Sequence, residues 1–155
     1  MTDHTPPVFI TSFGFLHCVG RRRIPRAHIV VDLRHHFRDP HVSPELRTLT
    51  GHDQAVKKAV LSTPGIPELV EATAAAVRAY QAGPSARPTE DRPYGLPVQV
   101  AVGCAGGRHR APVVAQAIAR ALNLTNGWQA VTIEHRDIDR PVVDRPAAPA
   151  GGEVR

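Results

Sequence analysis

Residues 98–114 read VQVAVGCAGGRHRAPVV. An apolar run, Val98–Val102, ends in Gly103-Cys104-Ala105-Gly106-Gly107-Arg108-His109-Arg110, and apolar residues at helical spacing follow at once. A strand, a glycine-rich loop and a helix start in that order build an anion pocket. Unpaired backbone N–H groups and the positive helix end converge on one spot. Arg108, His109 and Arg110 add charge there. The pattern predicts that a phosphate, or a molecule carrying one, sits on this loop.

Outward from the loop, Val113, Val114, Ala117, Ile118, Ala121 and Leu122 form an apolar stripe, with Pro112 in the first turn where a missing N–H costs little. Val8–Phe15 and His28–Leu33 read as strands. Ala130–Ile133 begins another that runs out at His135-Arg136-Asp137. A helix from about Asp53 to Ser62, with Thr50 or Asp53 as cap, is broken by Pro64-Gly65. A longer helix follows, with Ile66, Leu69, Val70, Thr73, Val77 and Tyr80 on one face. Gly83–Pro97 reads as an exposed loop.

Strands alternating with helices predict a single α/β domain: a mostly parallel sheet of four to five strands with helices packed on its faces. The domain is expected over 8–139, with a loose tail at 1–7 and a disordered tail, rich in proline, alanine and glycine, at 140–155. Ligands of such sheets gather at the C-terminal strand ends. Asp32 and Arg34, the 103–110 loop, and His135 and Arg136 all fall at such ends, so three segments are expected to converge.

The 155 residues suffice for a real core without metal or disulfide staples. A net charge of +5 favours anionic partners such as RNA, nucleotides or phosphorylated metabolites. Cys18 and Cys104, far apart in sequence, do not make a disulfide framework and point to a reduced, cytoplasmic setting. No secretory pattern and no apolar run of spanning length is present, so no membrane association is expected.

The loop lacks Gly-Lys-Ser/Thr, which excludes a Walker A site, and it lacks the dinucleotide GxGxxG spacing. Cys104 and Arg110 do stand at Cys-x5-Arg spacing, the phosphate loop of cysteine-dependent phosphatases, in which a thiolate attacks phosphorus. Against catalysis, Gly103 replaces the usual His and Ala111 the usual Ser or Thr. The other reading makes Cys104 a small packed residue beneath a binding loop. His35, His36 and His41 have no structural-zinc spacing, so no metal or other cofactor is expected. Arg21–Arg23 has no interleaved aromatic residues to stack bases.

Six short motifs now stand in register: Ser12-Phe13-Gly14-Phe15, Val31-Asp32-Leu33-Arg34, Asp39-Pro40-His41, Leu49-Thr50-Gly51-His52-Asp53, Gly103-Cys104-x-Gly106-Gly107-x-His109-Arg110 and His135-Arg136-Asp137. From Phe9 to Asp137 the chain resembles the C-terminal domain of the RapZ family, bacterial RNase adapter proteins. In that family a Walker-type nucleotide-binding domain precedes this one, so the resemblance implies a stand-alone version here. It further implies sensing of glucosamine 6-phosphate, binding of small regulatory RNA, and a homo-oligomer. The family's ligand pocket uses the glycine loop and a histidine after the first strand, which His17 matches. Asp32 and Arg34 match the family's Asp-x-Arg.

The expected function is a regulatory module that binds a phosphorylated small metabolite, an amino-sugar phosphate by resemblance. The backbone of Cys104, Ala105, Gly106, Gly107, Arg108, His109 and Arg110, with the Arg110 guanidinium, would hold the phosphate. His17, Asp32, Arg34, His135 and Arg136 would line the rest. Occupancy would be signalled to an ATPase or RNase partner. One alternative is an RNA-binding adapter using Arg21–Arg23, Arg108, Arg136 and Arg140. The other is a phosphatase or phosphotransferase using Cys104 and Arg110.

Overall fold

A computed structural model describes residues 5–126 and 130–143. Strands β1 (Val8–Gly14), β2 (Ile29–Asp32), β3 (Val98–Cys104) and β4 (Val131–His135) form one parallel sheet in the order β2-β3-β1-β4. Helices α1 (Gln54–Leu61) and α2 (Ile66–Ala82) link β2 to β3, and α3 (Arg110–Asn126) links β3 to β4. No helix of the described residues is long and apolar enough to cross a membrane.

The strand order decides where the helices lie. The β2–β3 and β3–β4 crossovers step the same way across the sheet, so right-handed connections place α1, α2 and α3 on one face. The β1–β2 connection steps the opposite way and must cross the other face. Residues 18–28 include Arg21–Arg23 and Pro25, offer no apolar helical stripe, and contain no helix. The parallel α/β sheet expected from the sequence is thus present, with α1, α2 and α3 packed on one of its faces. Burial follows the pleat accordingly. Val8, Ile10, Val31, Val98, Val100 and Val102 join Val56, Val60, Val70, Val77, Ile118 and Leu122 in one core, while Phe9 and Val30 on the opposite face are exposed.

The same topology creates the site. Adjacent strands β1 and β3 send their C-terminal connections to opposite faces of the sheet, which opens a crevice between them. Val98 N–H donates to the Pro7 carbonyl at 2.9 Å, and Arg140 N–H to the Asp137 carbonyl at 3.2 Å. Most of the tails expected at 1–7 and 140–155 lies outside the described residues.

Candidate functional site

The glycine loop runs out of β3 into this crevice and is pressed against the end of β1. A Cβ on Gly14 would stand 2.6 Å from the Gly106 carbonyl carbon. One on Gly107, at φ +75°, would stand 2.7 Å from the Gly14 nitrogen. Glycine is needed on both sides of this backbone contact. The loop carbonyls turn to protein donors: Ala105 accepts from Leu16 N–H at 3.0 Å, and Arg108 from Gly51 N–H at 2.7 Å. The amides of Gly107 and Ala111 lie near the Cys104 sulfur. Those of Ala105, Gly106, Arg108, His109 and Arg110 meet no backbone acceptor among the described residues.

Beside these amides lies a cleft of about 320 Å³. Cys104, Ala105, Gly106, Arg108 and His109 form its floor; Asp39, His41 and Val42 form one wall. Leu16, Val142 and Val143 supply apolar surface. Asp39 opens a proline-started 3₁₀ turn, Pro40–Val42, and accepts from the His41 amide at 3.0 Å. This acidic wall was missed from sequence, although Asp-Pro-His is a recognisable capped turn. The Leu49 carbonyl can only accept, so its 2.9 Å contact with His109 places the proton on Nε2. His109 Nδ1 is then an acceptor, 4.0 Å from the Asp39 carboxylate.

Arg110 does not reach the cleft. Its side chain is buried, with Nη1 donating to the carbonyls of Leu33 at 2.6 Å and Phe37 at 2.9 Å, and Nη2 to Asp39 at 2.7 Å. The sequence assigned this guanidinium to the phosphate. The carbonyls leaving the end of β2 have no ladder partner there, and Arg110 is the donor that satisfies them. Arg108 is the arginine that lines the cleft. Burial raises the Cys104 thiol pKa, against the nearby Gly107 and Ala111 amides and the Arg110 charge.

The other expected site residues stay near the strand ends but outside the cleft. Asp32 and Arg34 pair with each other at 2.6 Å, and the guanidinium lies 3.6 Å over the Phe15 ring. His135 sits on the helix side of the sheet, 2.8 Å from Ser12 Oγ and 3.3 Å from the Gln116 amide. Arg136 and His17 gather around Asp137, a fully buried carboxylate absent from the expected site. Asp137 accepts from Arg22 at 2.8 Å, Arg136 at 2.8 Å, Arg140 at 3.2 Å and the Gly14 amide at 2.9 Å. Sequence showed an Arg-Asp pair at a strand end; the convergence of Arg22 from the β1–β2 connection needed the fold. The glycine loop lines the cleft and Arg136 joins a buried ionic hub, while Asp32 and Arg34 pair apart from both.

Burial holds the His17, His109 and His135 imidazoles below their ordinary value. Near His17 the arginines around Asp137 add to that effect while Asp137 opposes it; near His135 the adjacent His52 adds to it. A histidine depressed in the folded state binds its proton first in the unfolded chain. Stability is therefore full above the unfolded value of about 6.5 and falls as pH drops through it. Urea midpoints should decline from about pH 7.5 to about pH 5.5, and less steeply in His135→Gln. A midpoint that rises on acidification contradicts the buried neutral state.

The sequence is similar to those of known proteins. The family profile described as RapZ C-terminal domain matches residues 6–139. A nucleotide-binding protein of Rhodospirillum rubrum is 34% identical over 143 residues, covering 88% of this chain and 39% of its own. One of Leifsonia xyli is 35% identical over 133 residues, covering 86% and 41%, and one of Salinispora tropica 37% identical over 133 residues, covering 86% and 40%. The chain thus spans about two fifths of the length of these curated relatives. The match runs through the sheet, the glycine loop and the Asp137 hub alike, and the chain belongs to the RapZ C-terminal domain family.

Proposed function

We propose that this domain is a binding module for a phosphorylated small molecule, an amino-sugar phosphate by family resemblance. One observation carries the reading. The amides of Ala105, Gly106, Arg108 and His109 lack backbone acceptors among the described residues, and their residues floor the cleft. A backbone amide seeks an acceptor, and a phosphate oxygen is the acceptor such a loop suits. Arg108 supplies the cation. Asp39, His41 and His109 Nδ1 offer acceptors to hydroxyl or ammonium groups on the rest of the ligand. Occupancy would be reported to a partner protein, for which an RNase or an ATPase is the family-based candidate.

Two rival readings draw less support. An RNA adapter would use Arg21–Arg23, Arg108, Arg136 and Arg140, yet of these Arg22, Arg136 and Arg140 turn onto Asp137. Cysteine chemistry would use Arg110 and an ionised Cys104, yet the guanidinium faces away and burial disfavours the thiolate.

Gly106 provides the test. A Cβ there meets nothing within 4 Å, so Gly106→Val leaves the fold intact and fills the cradle. Calorimetry with inorganic phosphate and glucosamine 6-phosphate should show binding to the unaltered chain and about a tenfold or greater loss in Gly106→Val. Binding that ignores the substitution, or no binding of either compound, overturns the reading.

A further inference from the structure

The cleft has one wall that the glycine loop and the Asp39 turn do not explain. Residues 140–143 leave β4, pass the Asp137 hub, and place Val142 and Val143 along the cleft. Both remain well exposed, at 47% and 39%, although Leu16 and Val42 also present apolar surface to the same space. Filling and narrowing the cleft would bury more of these side chains.

Two arginines attach this segment. Arg140 reaches Asp137 through its own N–H and through Nε, each at 3.2 Å. Arg108 donates Nη1 to the Arg140 carbonyl at 3.0 Å. The rest of the Arg108 fork is unfinished. Its Nε is buried without a hydrogen-bond partner, and among the described residues it has no carboxylate within ion-pair distance. Arg108 therefore touches both the strap-like segment and the lining of the cleft.

We propose that residues 140–143 form a strap that closes over the occupied cleft, and that Arg108 couples the bound anion to it. This rests on the anion-cradle reading above. A guanidinium is planar and rigid, so an anion that fixes one edge of Arg108 fixes the edge that holds the Arg140 carbonyl. The strap is thereby tightened, and Val142 and Val143 close toward Leu16 and Val42 across the ligand. Coupling of this kind is reciprocal, so a weakened strap weakens the ligand.

Hydrogen exchange at the Arg140, Val142 and Val143 amides tests this, with inorganic phosphate and glucose 6-phosphate as probes. Both should slow exchange there about threefold or more. The Val142→Ser/Val143→Ser double variant should bind glucose 6-phosphate about fivefold more weakly while phosphate, which is too small to meet the collar, changes less. Arg108→Lys keeps the charge but loses the fork, and should still bind phosphate without protecting the strap. If a probe binds and strap exchange is unchanged, or the double variant binds glucose 6-phosphate as tightly, the strap is overturned and the cradle stands. If Arg108→Lys still transmits protection, the coupling role of the fork is overturned. If neither probe binds, the cradle reading fails and the strap fails with it.

Discussion

Replacing Arg110 with alanine is expected to destabilise the domain by about 3–5 kcal/mol. The guanidinium is 2% exposed and ties α3 to the chain leaving β2. Its removal strips donors from the Leu33 and Phe37 carbonyls and leaves Asp39 without its cation. Each stranded buried acceptor alone costs about 1–3 kcal/mol. Arg110→Lys should recover only part of the loss, because one ammonium cannot span two carbonyls and a carboxylate in a plane. Urea denaturation with phosphate titration distinguishes the roles. A variant of unchanged stability that has lost phosphate would return Arg110 to the ligand site and refute its packing role.

Asp137→Asn should lower stability by about 3 kcal/mol or more. Asparagine preserves shape and an acceptor for the Gly14 amide but removes the one negative charge that, among the described residues, pairs with Arg22, Arg136 and Arg140. Those guanidiniums would then crowd without a counter-ion. Burial by itself raises the Asp137 pKa, but the Arg136 bonds, the Gly14 amide and the arginine charges together draw it below the ordinary carboxylate value. A carboxylate depressed in this way contributes stability above the unfolded value of about 3.9, and that contribution is lost as pH falls through the folded value. Asp137→Asn should therefore flatten the acid end of the stability profile. Equal stability of the variant and the parent at neutral pH would show that the hub is a solvated surface cluster.

Much of the fold was legible. β-branched runs at Val8–Ile10, Ile29–Val31, Val98–Val102 and Val131–Ile133 fit only strands, and the stripe through Val113, Ile118 and Leu122 fits only a helix. The glycine loop between a strand and a helix was legible because Gly106-Gly107 follows an apolar run and precedes the α3 stripe. The side-chain roles were less so. Arg108 and Arg110 are two residues apart and look alike in sequence, yet one lines the cleft and the other is buried among carbonyls. Asp39 lies in a polar connection whose path no periodicity predicts, so its place in the cleft wall was not visible.

The linear sequence determined which segments alternate, where glycine permits close backbone approach, and that free amides collect before α3, because these depend on neighbours along the chain. The tertiary structure decided that every helix lies on one face, that β1 and β3 part to form the crevice, and which guanidinium faces which carboxylate. Those outcomes follow from strand order and crossover handedness, which bring together Arg22, Gly14 and Asp137 from segments more than a hundred residues apart.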